Sequence, residues 1–487
     1  MKGVLLLLAG VLGSAAEDLP EPIAHVLDLA REAGPEFYGD AVFRITGGRR
    51  VVSPEKEKQL LEEVFDSAQD IRVALPLVVA RPAAGAERAR VLARVRDLRL
   101  ERVTLQSRVV DRMIALQEGR RARVLLEKID LPLPAKPACA DLLIPVAPYY
   151  WDTLASLVLQ NSAFTLLERE RKRPLELIEH HVRSILAATD VGPAAQAARR
   201  VMLADGDPDG RLVTALGSAL ASIQDSDRAF SYAVESMGVV ENVLALAEEA
   251  RRRRMPTAGL VFSLRAFLVR HYQAVRCADT IALPDSTPSY LQVGALIRPI
   301  QTFNQRAPVY ANPLPPILDK DRQPAGIDSS QPQSQPAQLL TYAAITGRID
   351  ALPRGRSVPG AYRPAGEEVL KMMLDWHEDS VLNGPEFFHQ KSAALRAFLQ
   401  KELGGDLFHA ALAEYVKLLL GTPARRDAPA EWLYEVDSLL ALARQPEDRR
   451  GSAAHPSSGE IIKTLVDSYD PTLQLYGRLE QMFPLKR

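Results

Sequence analysis

Leu167-Glu-Arg-Glu-Arg-Lys-Arg-Pro174 closes one apolar, Leu-rich run and opens another, and Glu248-Glu-Ala-Arg-Arg-Arg-Arg-Met-Pro256 does the same further along the chain. In both, basic residues fall where a helix would end, where cations complement the negative end of the dipole, and a proline follows that resists continuation of the helix. A helix, a short turn and another helix, met twice, predicts stacked antiparallel hairpins. The fold class this implies is all-α, an irregular α-solenoid-like array. No consensus period supports it; the Trp, Leu-Gly and Tyr positions of the 34-residue helical repeat are missing, and the chain holds 3 Trp in all.

The texture around these junctions agrees. From Glu17 to about Asp279 apolar residues recur at three- and four-residue spacing. Ser53-Pro54 begins one helix, with Ser as N-cap, Pro at the first position and Glu55 and Glu57 at the positive end of the dipole. Asp152 is expected to cap another, and further helices are expected over Leu175–Ala188, Arg211–Ile223, Ala229–Arg254 and Leu260–Val275. Two runs have some strand character, Ile71–Ala80 and Val42–Val52, but neither alternates over enough residues to outweigh helix.

Composition changes after residue 280. Between Ile281 and Gly366 there is no Glu, while 13 of the 35 prolines fall there, densest from Pro308 to Pro336. Such a stretch favours an extended, solvated backbone, so 281–366 reads as an irregular Pro-rich connector with one helix at Ala337–Ile345. From Glu367 onward helices return, over Glu367–Leu382, Pro385–Glu402, Leu407–Leu420, Ala430–Arg444, Gly459–Ser468 and Thr472–Phe483. Ser457 and Glu460 have the spacing of a capping box. The expected organisation is a leader over 1–16, a helical-hairpin domain over 17–280, the connector, and a C-terminal helical domain over 367–487.

The leader rests on Lys2, the apolar stretch Val4–Leu12 and the small residues Ser14-Ala15-Ala16, the pattern of a secretory signal peptide cut after Ala16. It implies an exported, soluble protein of the periplasm or the extracellular space. In an oxidising compartment Cys139 and Cys277, the two cysteines of the chain, become candidates for a disulfide, with two unpaired buried thiols as the alternative. No later segment reaches 18 uninterrupted apolar residues, so no membrane span is expected. The net charge of -1 divides as +1 over 1–280, +3 over 281–365 and -5 over 366–487, and no segment carries the concentrated positive field that tracking phosphates demands, which argues against nucleic acid as a partner.

Chemistry is sparsely marked. Asp205-Gly-Asp207-Pro-Asp209-Gly210 copies the first half of a calcium loop, and over these six residues it resembles an EF-hand or dockerin loop. The bidentate carboxylate that completes such a loop at its twelfth position is replaced by Leu216, which leaves a turn rich in Asp and Gly as the plainer reading. Glu386-Phe-Phe-His389 has the i, i+3 spacing of di-iron bundles, with His377 and His409 as further candidate ligands. A metal there needs those side chains on facing helices, whereas Phe387, Phe388 and Phe408 point to core faces with polar edges. His180-His181 reads as a solvated helix face. Gly-x-Ser-x-Gly, His-Glu-x-x-His, Walker A and Gly-x-Gly-x-x-Gly patterns are missing, and no cofactor is expected. The expected role is therefore non-enzymatic: a binding or scaffolding surface for another protein or a cell-envelope component. The alternative is an enzyme or metal protein whose site lies in the C-terminal helical domain.

Overall fold

The computed structural model describes residues 19–47, 52–79, 87–132, 143–164, 168–223, 238–274, 301–308, 311–314, 337–353, 362–377, 384–401, 403, 405–444 and 456–484. These residues are predominantly helical. In chain order α1 is Glu21–Ala33, α2 Pro35–Gly47, α3 Pro54–Ser67, α4 Glu87–Val95, α5 Arg102–Ala115, α6 Gly119–Leu126, α7 Pro148–Phe164, α8 Glu168–Arg183, α9 Ala188–Leu203 and α10 Arg211–Ser222. There follow α11 Val239–Arg252, α12 Ala258–Ala274, α13 Ala337–Ala351, α14 Arg363–Asp375, α15 Gly384–Leu399, α16 Gly405–Gly421, α17 Ala424–Asp427, α18 Pro429–Ala443, α19 Pro456–Val466 and α20 Pro471–Met482. The leader, Cys139 and Cys277 lie outside the described residues, as does most of the Pro-rich stretch.

Local chemistry explains several of the helix ends. Ser53 caps α3 as its sequence predicts, its Oγ accepting from Lys56 N at 3.3 Å with Pro54 in the first turn. Asp470 does the same for α20, taking Thr472 N at 2.9 Å and Leu473 N at 3.0 Å through Oδ1. The capping box expected at Ser457 and Glu460 falls inside α19, which already begins at Pro456. Asp152 is likewise no cap, because α7 starts at Pro148; its carboxylate pairs with Arg200 at 2.7 Å instead.

The two junctions resolve differently. After α11 the chain stops as expected, at the basic run: Arg254 takes φ +62°, and Met255 N donates back to Ala250 O at 2.9 Å. The same six-to-one closure ends α5 at Gln117 (φ +65°) and α9 at Asp205 (φ +57°). These left-handed positions suit glycine, and here none is glycine. Replacing the exposed Arg254 with Gly is therefore expected to raise stability by about 0.5–1 kcal/mol, read as a higher urea midpoint at unchanged slope. At the first junction α8 instead runs straight through Pro174. The proline costs one i to i-4 bond, and burial of Leu175, Ile178 and Val182 on the face that meets α7 and α10 outweighs it.

Packing follows a regular rule through the first half. α5 packs on α7, α7 on α9 and α9 on α11, while α8 packs on α10 and α10 on α12. The later helices fold back onto the start: α20 packs on α1, and α4 lies against both α15 and α18. Phe37 of α2 meets Trp432 of α18 and Tyr476 of α20 edge to face at 5.7 and 6.2 Å between centroids, which seats these helices on one continuous apolar core. A buried ionic cluster lies beside the aromatics, with Arg44 held by Asp40 at 2.8 Å and Arg444 by Asp437 at 3.0 Å.

The Ile71–Ala80 run does contain a strand. Leu77–Val79 (β1) pairs antiparallel with Leu143–Pro145 (β2), Val78 opposite Ile144, and α4 packs on β1. The connector also holds more helix than its composition suggests, since α13 extends to Ala351 and residues 301–306 are helical. No helix among the described residues is long and apolar enough to cross a membrane.

Candidate functional site

Three helices supply a dense polar cluster among the described residues. On α15, Glu386, His389 and Gln390 stand at i, i+3 and i+4 and so share a face; on α18, Glu431 and Glu435 are four apart and do the same. α4 meets both helices with its N-terminus. Glu386 accepts from Glu87 N at 2.6 Å and Arg88 N at 3.2 Å, so a carboxylate almost 300 residues away in sequence satisfies donors that the first turn of α4 leaves open. Arg88 then grips Glu431 with Nε and Nη2, both at 3.0 Å, in the planar two-bond geometry that suits guanidinium and carboxylate.

His389 closes the cluster. Only 1% exposed, it sits between two carboxylates: Nε2 lies 2.8 Å from Glu431 Oε2 and Nδ1 lies 3.0 Å from Glu435 Oε1. Each ring nitrogen thus faces a carboxylate oxygen. Glu435 is fully buried and is also paired with Arg396 and with the Tyr415 hydroxyl, which donates at 3.1 Å. Burial alone would raise the Glu431 carboxyl, but the hydrogen bonds from His389 and Arg88 outweigh it and hold its pKa at about 2.

Above this cluster opens a cleft of about 370 Å³. Its inner wall is aromatic, formed by the buried Trp376, Phe387 and Phe388, and Glu431 reaches it from α18. Lys391, 3% exposed, lines it as well and donates from Nζ to Trp376 O at 2.9 Å and Glu414 Oε1 at 2.8 Å. The exposed His377 and Lys417 border the opening.

Searches find no protein family, no curated protein and no solved structure that matches the chain. What the cleft can do follows from its own groups. Glu431 is bonded on both sides and Lys391 is bonded to two acceptors, so the buried polar groups of the cleft are already engaged by the protein.

The residues singled out from sequence disperse. Glu386 and His389 share the cluster, each with protein partners, and His377 lies at the mouth of the cleft. His409 is elsewhere, exposed and paired with Glu460 at 3.0 Å. Among the described residues no group of three or more His, Cys, Asp or Glu is arranged to hold a metal ion. Asp207 is buried and caps α10, accepting from Arg211 N at 2.8 Å and Leu212 N at 3.0 Å; Asp205 pairs with Arg253 and Asp209 is exposed. Leu216 at the loop's twelfth position is in the core. His180-His181 is not wholly a solvated face: burial, with His180 adding to it, drives the His181 ring down to about 4, and Nδ1 lies 2.9 Å from the Tyr150 hydroxyl. Arg88, Lys391, Glu431 and Glu435 carry no motif. For these four the sequence trace is the four-residue spacing of Glu431 and Glu435 on one helix.

Proposed function

We propose that this chain is a non-enzymatic helical scaffold that receives a segment of a protein partner in the cleft between α15, α16 and α18. The observation that carries this is the pairing of charges inside an aromatic wall. Glu431, Lys391 and Glu414 each face a fixed counter-charge or carbonyl, and what remains for a visitor is the aromatic surface of Trp376, Phe387 and Phe388. The exposed Lys417 ammonium at the rim, beside His377 and with Asp427 there paired to Arg426, favours a segment that presents a large apolar side chain next to an acidic one. Packing of each helix on the one two places along, through α5, α7, α9, α11 and through α8, α10, α12, supports the stacked-hairpin reading of the N-terminal half. Lys2, Val4–Leu12 and Ser14-Ala15-Ala16 support export, with the partner then a soluble or envelope protein met after translocation.

Site-specific photocrosslinking in the producing cells tests the reading. A crosslinking residue at Lys417 is expected to give one discrete protein adduct, weakened several-fold by His377→Glu, while the same group at Val124, 49% exposed and remote from the cleft, gives none. Equal adducts at both positions, or an adduct indifferent to His377→Glu, would overturn it.

A further inference from the structure

A second, narrower cavity lies beside the start of α18, further along α4. Ile71 and Leu77 before α4, Leu92 and Val95 on α4, and the carboxyl residues Glu36 and Glu101 line a slot of about 50 Å³. At about 10–15 Å³ for each water-sized position, it has room for about three to five atoms in a row. Glu101 is the exceptional member. It precedes α5 at the N-cap position without making a side-chain cap bond, it is 4% exposed, and its Oε2 is buried with no hydrogen-bond partner among the described residues. A buried oxygen left without a donor is costly, and native structures seldom keep one that has no use.

The surrounding charges set the sign of what would satisfy it. Glu36, Glu101 and Glu431 all line the slot, and Arg96 is its one lining cation, with a side chain about half exposed. Glu431 is engaged by Arg88 and His389, which leaves Glu36 and Glu101 as the remaining carboxyl groups of the lining. We propose that this slot is a binding site for a primary ammonium group on a short alkyl chain, the nitrogen donating to Glu101 Oε2 and the methylenes packing on Ile71, Leu77, Leu92 and Val95. The chemistry is shared by small aliphatic amines and by the tip of a lysine side chain. The slot shares Ala428 and Glu431 with the cleft, but the group that carries the proposal, Glu101, lines the slot alone, so it stands whether or not the scaffold reading does.

Burial raises the Glu101 carboxyl to about 7, against the smaller opposing influence of its own backbone, Thr104 and Arg108, and burial raises Glu36 too, against its own backbone and Arg72. An ammonium ligand requires the ionised carboxylate, so its affinity must rise with pH through that range. Titration of the full chain with n-butylammonium, followed by methyl NMR and calorimetry, is the test. Saturable binding is expected with Kd on the order of 1 mM, as befits so few atoms. It should tighten about tenfold from pH 6 to pH 8, exceed the affinity for 1-butanol at least tenfold, and vanish in Glu101→Gln. Binding of Nα-acetyl-lysine N-methylamide with similar strength would identify a lysine tip as the ligand, and its failure beside bound butylammonium would confine the site to free amines. Equal binding of butanol and butylammonium, or binding unchanged in Glu101→Gln, overturns the proposal, as does the lack of any saturable binding.

Discussion

Replacing His389 with alanine is expected to lower the unfolding free energy by about 3–5 kcal/mol, the cost of removing one partner from a buried ionic cluster. The ring is 1% exposed and bridges Glu431 and Glu435, which are themselves 7% and 0% exposed. Without it two buried carboxylates keep only Arg88 and Arg396 as compensating cations, and Glu435 is fully buried. The charge, more than the lost volume, should dominate. If so, Glu431→Gln made in the His389→Ala background recovers part of the loss, and the two substitutions together cost less than the sum of each alone. Guanidinium unfolding of the four chains at pH 7 measures this coupling. His409→Ala serves as the control: His409 is exposed and its pair with Glu460 is of the surface kind, so the change should stay within about 0.5 kcal/mol. Equal effects at the two histidines would show that the buried cluster does not carry the energy its geometry implies.

That contrast shows where sequence was informative. Periodicity and end signals identify helices, and the six helices expected after residue 367 all form, as do those opened by Ser53-Pro54 and closed by the arginines before Pro256. Reading breaks down where a local signal is weaker than tertiary packing. Pro174 reads as a helix boundary, yet α8 passes through it because its apolar face is buried between α7 and α10. Gly192-Pro193 hides α9 in the same way, although the residues around it are almost all in the core. The site was less legible still. Glu386 and His389 attract attention by spacing alone, but their partners Arg88, Glu431 and Glu435 come from helices remote in sequence, and only the fold reveals that Glu386 caps α4 rather than waiting for a ligand. Asp207 repeats the lesson, since its carboxylate is used by the two amides that start α10.

Glu101→Gln should have the opposite sign, stabilising the chain above neutral pH. A carboxyl near 4.5 in the unfolded chain and about 7 in the folded one binds its proton more tightly when folded, so its contribution to stability declines as pH rises from about 4.5 to 7 and then levels off. The shift corresponds to about 3 kcal/mol, since each pKa unit is worth about 1.4 kcal/mol. Glutamine cannot ionise, and its amide carries a desolvation cost of about 1 kcal/mol at a site that offers no partner to Oε2. The variant is therefore expected to exceed the parent by about 2 kcal/mol at pH 8 and to match or fall just below it at pH 4. Glu431 moves the other way, losing its stabilising ionisation as pH falls from about 4.5 toward 2, and would obscure a pH profile of the parent alone. Both chains retain Glu431, so the difference between their urea unfolding free energies cancels its contribution and isolates Glu101. A difference that stays flat from pH 4 to pH 8 would mean that Glu101 ionises at an ordinary carboxylate pH, and that its buried oxygen finds a donor in solution.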